Sequence, residues 1–149
     1  HSEFLGADLT DTTFSLFFNM IVPDMTGIHA VDLAGCPENL PTEWSCTSMN
    51  LIGPTANLSG ANLSGLILEG DLSNIDFSDA DLSNSSLINA NLTGSNFNGA
   101  VMSHTNLSGS DLSFASFYGA SIADTIFVDT IWFETTWIDG IEYNSNPAL

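Results

Sequence analysis

Two cysteines, three histidines and eighteen carboxylates are the side chains of this 149-residue chain with the most obvious chemistry, and no lysine or arginine accompanies them. Cys36 and Cys46 both lie in GCPENLPTEWSCTSMNLIGP, a stretch with three prolines. A disulfide there would remove chain entropy from the unfolded state and stabilise the segment by ~2 to 3 kcal/mol. It is favoured over two buried thiols, and it points to an oxidising compartment, outside the cell or at its surface, with the cytoplasm as the alternative. Zinc is disfavoured, because the nearest histidine is His29 and no second cysteine pair exists. His1, His29 and His104 stand in unrelated contexts, and spacing gives none of them a nucleophile or an orienting carboxylate. No phosphate loop, zinc-protease motif, dinucleotide fingerprint or EF-hand loop is present. The expectation is a chain with no catalytic residues, no cofactor and no structural metal.

The net charge of −18 narrows the partners. Without Lys or Arg there is no phosphate clamp, no Schiff-base amine and no cationic surface to release counterions from nucleic acid. Direct binding to nucleic acid is therefore not expected. Such a surface attracts basic protein patches, or weakly held Ca²⁺ on carboxylate oxygens, while its simplest role is solubility. No apolar run reaches the ~20 residues of a membrane span, so membrane insertion is not expected either.

The elements that position these residues follow from a period of five. Steps of five from Leu72 land on Phe77, Leu82, Leu87, Leu92, Phe97, Met102, Leu107, Leu112, Phe117, Ile122, Phe127, Trp132 and Trp137, all large and apolar. Two residues before each, the side chain is small, as at Ala80, Ser85, Ala90, Ser95, Ala100 and Thr105, with Ile75 the exception. Five fits neither helix nor strand; a short repeat with a fixed apolar position marks a stacked solenoid. The units ANLSG at 56–60 and 61–65, ADLSN at 80–84 and ANLTG at 90–94 closely resemble the A(D/N)LxX signature of the pentapeptide-repeat family. The resemblance implies an all-β, right-handed quadrilateral parallel β-helix. Four pentapeptides would make one coil, with the central residue and the small one before it pointing inward. Stacked coils would align Phe77, Phe97, Phe117 and Trp137 in one column and Leu72, Leu92, Leu112 and Trp132 in another.

Four segments are expected: degenerate coils at 1–33 ending a preceding module, an inserted Pro/Cys loop at 34–55, the main solenoid at 56–142 and a tail at 143–149. The step from Leu68 to Leu72 is four, which removes one residue at a corner. Residues 1–36 resemble 114–149, notably Asp11-Thr12 with Asp124-Thr125 and Gly27-Ile28 with Gly140-Ile141, as a unit of a longer tandem array would. Residues 14–25 and 126–138 turn apolar; Phe17, Phe18, Ile21, Val128, Ile131, Phe133 and Ile138 form a candidate association surface, with cover by a capping segment or by the Cys loop of the same or the next module as the simpler reading. The sequons at Asn57, Asn62, Asn84, Asn91 and Asn106 fall out of the repeat itself.

The function expected is that of a non-enzymatic structural or adhesive protein-interaction module in an extracellular or cell-surface array, self-associating end to end or with neighbouring modules. The alternative comes from the resemblance: some pentapeptide-repeat proteins imitate a DNA duplex in shape and charge and bind a type II topoisomerase in its place.

Overall fold

The computed structural model describes residues 27–29, 31, 33, 36, 40 and 42–147. From residue 56 to residue 137 the chain advances by five-residue steps, each an extended segment followed by a turn. The turns are closed by local bonds: the Ala80 N–H donates to the Phe77 carbonyl at 3.1 Å and that of Ala100 to Phe97 at 3.0 Å. The third residue of each such turn has positive φ, as at Asp79 (58°) and Asn89 (57°), the left-handed conformation a type II turn requires and Asn, Asp and Gly tolerate. The outward Asp or Asn before each core residue fixes the same corner. The N–H groups of Ser73, Ser78, Ser83 and Thr93 donate to the side-chain oxygens of Asp71, Asp76, Asp81 and Asn91 at 2.9–3.2 Å. These Asx turns are the physical reason for Asp or Asn in the motif, and for the sequons that follow from it.

Parallel bridges then stack the coils. Asp71, Asn91, Asp111 and Ile131 form one column; Asp76, Asn96, Ser116 and Thr136 a second; Asp81, Val101 and Ser121 a third; Ser86, Asn106 and Ile126 a fourth. Four columns, each repeating every twenty residues, make a four-sided coil. Below the short step the bridged residues are nineteen apart, as in Asn57 with Asp76 and Ile67 with Ser86, so the missing residue is absorbed at one corner without breaking the ladder.

The interior is apolar and laddered. Phe77, Phe97 and Phe117 stack at ring separations of 5.1 and 4.8 Å, nearly parallel, because coils one strand spacing apart dictate that geometry. Trp137 continues the column but tilts 56° from Phe117. Thirteen of the fourteen residues reached by steps of five are buried; Ile122 is the exception and is half-buried, since it belongs to the last coil and lacks a full covering layer. Four inward hydroxyls bond vertically, Ser95, Thr105, Thr125 and Thr135 donating to the carbonyls of Leu72, Leu82, Met102 and Leu112, each 23 residues earlier, whereas Ser110 and Thr130 donate within their own turns to Leu107 and Phe127. The Ser85 hydroxyl is buried with no partner.

The 34–55 segment is more than a loop laid outside the solenoid. Cys36 and Cys46 are joined by a disulfide with Cα atoms 5.8 Å apart. Strand β1 (Ser45–Thr47) pairs antiparallel with β2 (Asn50–Ile52). The two turn residues between them, Ser48 and Met49, both have positive φ, the requirement of a type I′ hairpin. Leu51 packs with Ile28 and Leu33, while Ile52 enters the main core. Gly53 is required here, because a Cβ would collide with the Trp44 indole. The chain before the hairpin also joins the stack: the Asn57 N–H donates to the Ile28 carbonyl at 2.9 Å and His29 bridges Asn57 in parallel.

At the other end the expected tail begins as structure. Strand β3 (Thr135–Thr136) pairs antiparallel with β4 (Glu142–Tyr143), while Thr136 holds Ser116 on its opposite edge. Ile138 and Tyr143 pack against the core, and the Asn146 amide donates to the Phe127 carbonyl at 3.2 Å. Phe127, Trp132 and Trp137 are consequently only 6–7% exposed beside this closing segment. Among the described residues no helix is long and apolar enough to cross a membrane.

Candidate interaction surface

Each face of a coil offers two outward positions, one on either side of its core residue. On the coils below the last these are mostly Ser, Thr, Asn and Asp, with Ile67, Ile88, Val101 and Tyr118 exposed singly. On the last coil they are Ile126 and Val128 on one face and Ile131 and Phe133 on the next, all exposed. The ladder partners one coil below, Asn106 under Ile126 and Asp111 under Ile131, are polar, so the apolar character belongs to this coil and not to the column.

Phe114 extends the patch downward. Its ring meets Phe133 edge-on at 5.2 Å, and its N–H donates to the Phe133 carbonyl at 2.7 Å. It occupies a turn position with φ of 61°, where the same corner of the two coils below carries Asn74 and Gly94. A bulky side chain in the left-handed region costs about 1–2 kcal/mol, and this one is still 53% exposed.

Charge is uneven along the stack but not one-sided: Glu69, Asp71, Asp76, Asp79 and Asp81 form one acidic group and the last turns another. No acidic residue lies between Asp81 and Asp111, whereas Asp111, Asp124, Asp129, Glu134, Asp139 and Glu142 crowd the last turns and the closing hairpin. Hydrogen bonds from the Ser83 hydroxyl and N–H hold Asp81 below the usual carboxylate range. Desolvation, then the nearby Asp139 carboxylate, raises the Tyr143 phenol.

The geometry offers little for catalysis. His104 Nδ1 lies 3.8 Å from an Asp124 oxygen, a pairing created by the coil repeat and not anticipated from linear spacing; both side chains are well exposed, and the pair attracts only when the histidine is protonated. Among the described residues no three of His, Cys, Asp and Glu are placed to hold a metal ion. A shallow cavity of about 290 Å³ between Phe127, Trp132 and Asn144–Asn146 contains one carboxylate, Asp129, and no nucleophile–base pair.

A pentapeptide-repeat model matches residues 56–99 and 95–131, in eight copies, over half of the chain. The chain belongs to the pentapeptide-repeat family. Among solved structures, the pentapeptide-repeat protein Rfr23 from the cyanobacterium Cyanothece 51142 is 35% identical with a TM-score of 0.51, the match covering 54% of each chain. That likeness supports the coil architecture, and it leaves nearly half of the relative's length unmatched. HetL from Nostoc sp. strain PCC 7120, a protein involved in heterocyst differentiation regulation, is 21% identical over 93% of this chain and 62% of its own, with a TM-score of 0.33. QnrB1, a plasmid-mediated fluoroquinolone resistance protein, is 16% identical over 85% of this chain and 48% of its own, with a TM-score of 0.34. Overlaps that loose carry nothing about function. No curated protein matches.

Within this pentapeptide-repeat solenoid the candidate association residues separate. Val128, Ile131 and Phe133 are exposed together on the last coil. Ile138 is not part of the open surface, because the closing hairpin turns it onto the core. Phe17, Phe18 and Ile21 lie outside the described residues. Phe114 and Ile126 are additions that the apolar-segment reading missed. Phe114 was detectable as the aromatic that interrupts the Asn–Gly series at its corner.

Proposed function

We propose that this chain is a non-enzymatic structural or adhesive solenoid module of right-handed quadrilateral coils. It acts by binding protein, as one unit of a tandem array in an extracellular or cell-surface assembly. The observation that carries this reading is the gathering of exposed apolar side chains on the last coil of a rod whose other faces are largely polar. Because the 135–147 segment closes the end of the stack, a partner protein would meet the side of the last coil and not extend the ladder. The Cys36–Cys46 disulfide supports an oxidising compartment. Weak Ca²⁺ screening of the acidic turns belongs to the same reading.

The test is the assembly state of the native protein that contains this chain, followed by electron microscopy and sedimentation with and without Ca²⁺. Rods, filaments or concentration-dependent oligomers are expected. Compact monomers at every concentration would overturn the structural reading. The duplex-imitating alternative is weakened by the neutral stretch between Asp81 and Asp111, which leaves more than one full coil without a carboxylate; no effect on gyrase supercoiling is expected.

A further inference from the structure

We propose that the surface formed by Phe114, Ile131 and Phe133 docks a cationic, apolar protein segment in which Arg or Lys alternates with aliphatic or aromatic side chains. The inference rests on the reading of the chain as a protein-binding module and specifies the occupant of its last-coil surface.

Three observations converge. Phe114 is held at positive φ at a corner where the coils below carry Asn74 and Gly94 and the coil above Glu134, and it remains half exposed, so the fold gains little from a ring there. Strain at an exposed residue is the signature of a position kept for contact. Second, the ring pair Phe114–Phe133 presents its remaining faces outward, and guanidinium and ammonium groups stack on such faces. Third, carboxylates rim the patch. Asp111 is bridged to Ile131 across the ladder, Glu134 follows Phe133 at the corner above Phe114, and Asp129 precedes Ile131 by two residues.

Charge decides between occupants. A second copy brings no Lys or Arg and a further −18, and like charges set face to face select against it. A basic segment instead neutralises the rim while its apolar side chains cover Ile131 and Phe133.

The test is fluorescence anisotropy with three labelled synthetic peptides of equal length, alternating Arg with Leu, Arg with Ser, and Glu with Leu. The wild-type protein should bind the Arg–Leu peptide roughly tenfold more tightly than the Arg–Ser peptide, weaken with salt, and ignore the Glu–Leu peptide. Phe114→Asn leaves the net charge unchanged and restores the residue type found at Asn74, so it should stay folded yet lose the preference for Leu. Phe133→Ser is the second variant and should act alike. Equal binding of the two Arg peptides would mean charge alone and would overturn the proposal, as would variants that bind like wild type. Self-association abolished by Phe114→Asn would overturn it in favour of a second copy. Assembly into rods with no peptide preference would discard this surface and leave the module reading intact. Peptide preference in a strictly monomeric protein would keep the surface and remove the array.

Discussion

The Asn91 side-chain amide donates a 3.0 Å hydrogen bond to the Asp71 carboxylate one coil away, and Asn96 does the same to Asp76. With Asp111 next in the first column, carboxylates alternate with an amide and never stack directly. Asn91→Asp would set three carboxylates at successive strand spacings, where like charges opposite one another are destabilising. At neutral pH and low salt the variant should lose about 1 kcal/mol, a fall of roughly 2–4 °C in Tm. Added salt should restore most of it. An unchanged Tm at low salt would show that the alternation carries no energy.

The inward hydroxyls allow a paired test of opposite sign. Thr105 donates to the Leu82 carbonyl at 2.7 Å, so Thr105→Val should cost about 1 kcal/mol. Ser85 has no partner: the carbonyl in the position that Leu82 holds for Thr105 is that of Leu63, 22 residues earlier across the shortened corner, and the Ser85 hydroxyl is not bonded to it. Ser85→Ala, matching Ala80 and Ala90, should leave Tm unchanged or raise it. Thermal melts in which both variants lose stability equally would disprove the vertical bonding scheme.

Asp81 carries a predictable pH signature. Its folded pKa is depressed below 3.8 by the Ser83 hydroxyl and N–H. A depressed carboxylate contributes stability that is present above its unfolded pKa and is lost as pH falls through the folded value. In Ser83→Ala the backbone donor remains and the hydroxyl is gone, so carboxyl NMR titration should show the Asp81 pKa moving part of the way up. The side chain is half-buried and still in contact with solvent, so the accompanying loss of stability should be small. No movement on losing the hydroxyl would remove Ser83 as the cause.

The Cys36–Cys46 bond closes a loop with a sequence separation of 10. Cys36→Ser with Cys46→Ser should cost ~3 kcal/mol, roughly 6–12 °C in Tm. Proteolysis should start in the hairpin region, since β1 and β2 are tied to the stack through the Ile28 and Leu33 cluster. A reduced protein as stable as the oxidised one would mean that packing of Leu51 and Ile52 alone holds the segment.

The sequence by itself determined the coil. A fixed apolar residue every five, a small residue two before it and Asp or Asn just before it are local requirements of an interior column, a crowded corner and an Asx turn. Each is satisfied within a few residues, so each is written in the chain; the lost residue at Leu68–Leu72 was legible for the same reason. The tertiary structure decided what depends on residues far apart in sequence. It turned Ile138 inward and paired β4 with β3 beside the last coil, where Phe127, Trp132 and Trp137 are buried. It drew the Cys segment into the core through Leu51 and Ile52, which no five-residue register marks. It set His104 beside Asp124, and Phe114 beneath Phe133 at a strained corner next to Asp111 and Glu134. Those meetings arise only when twenty residues of chain close into one turn of the stack, since nothing local in either partner encodes which neighbour the next coil will supply.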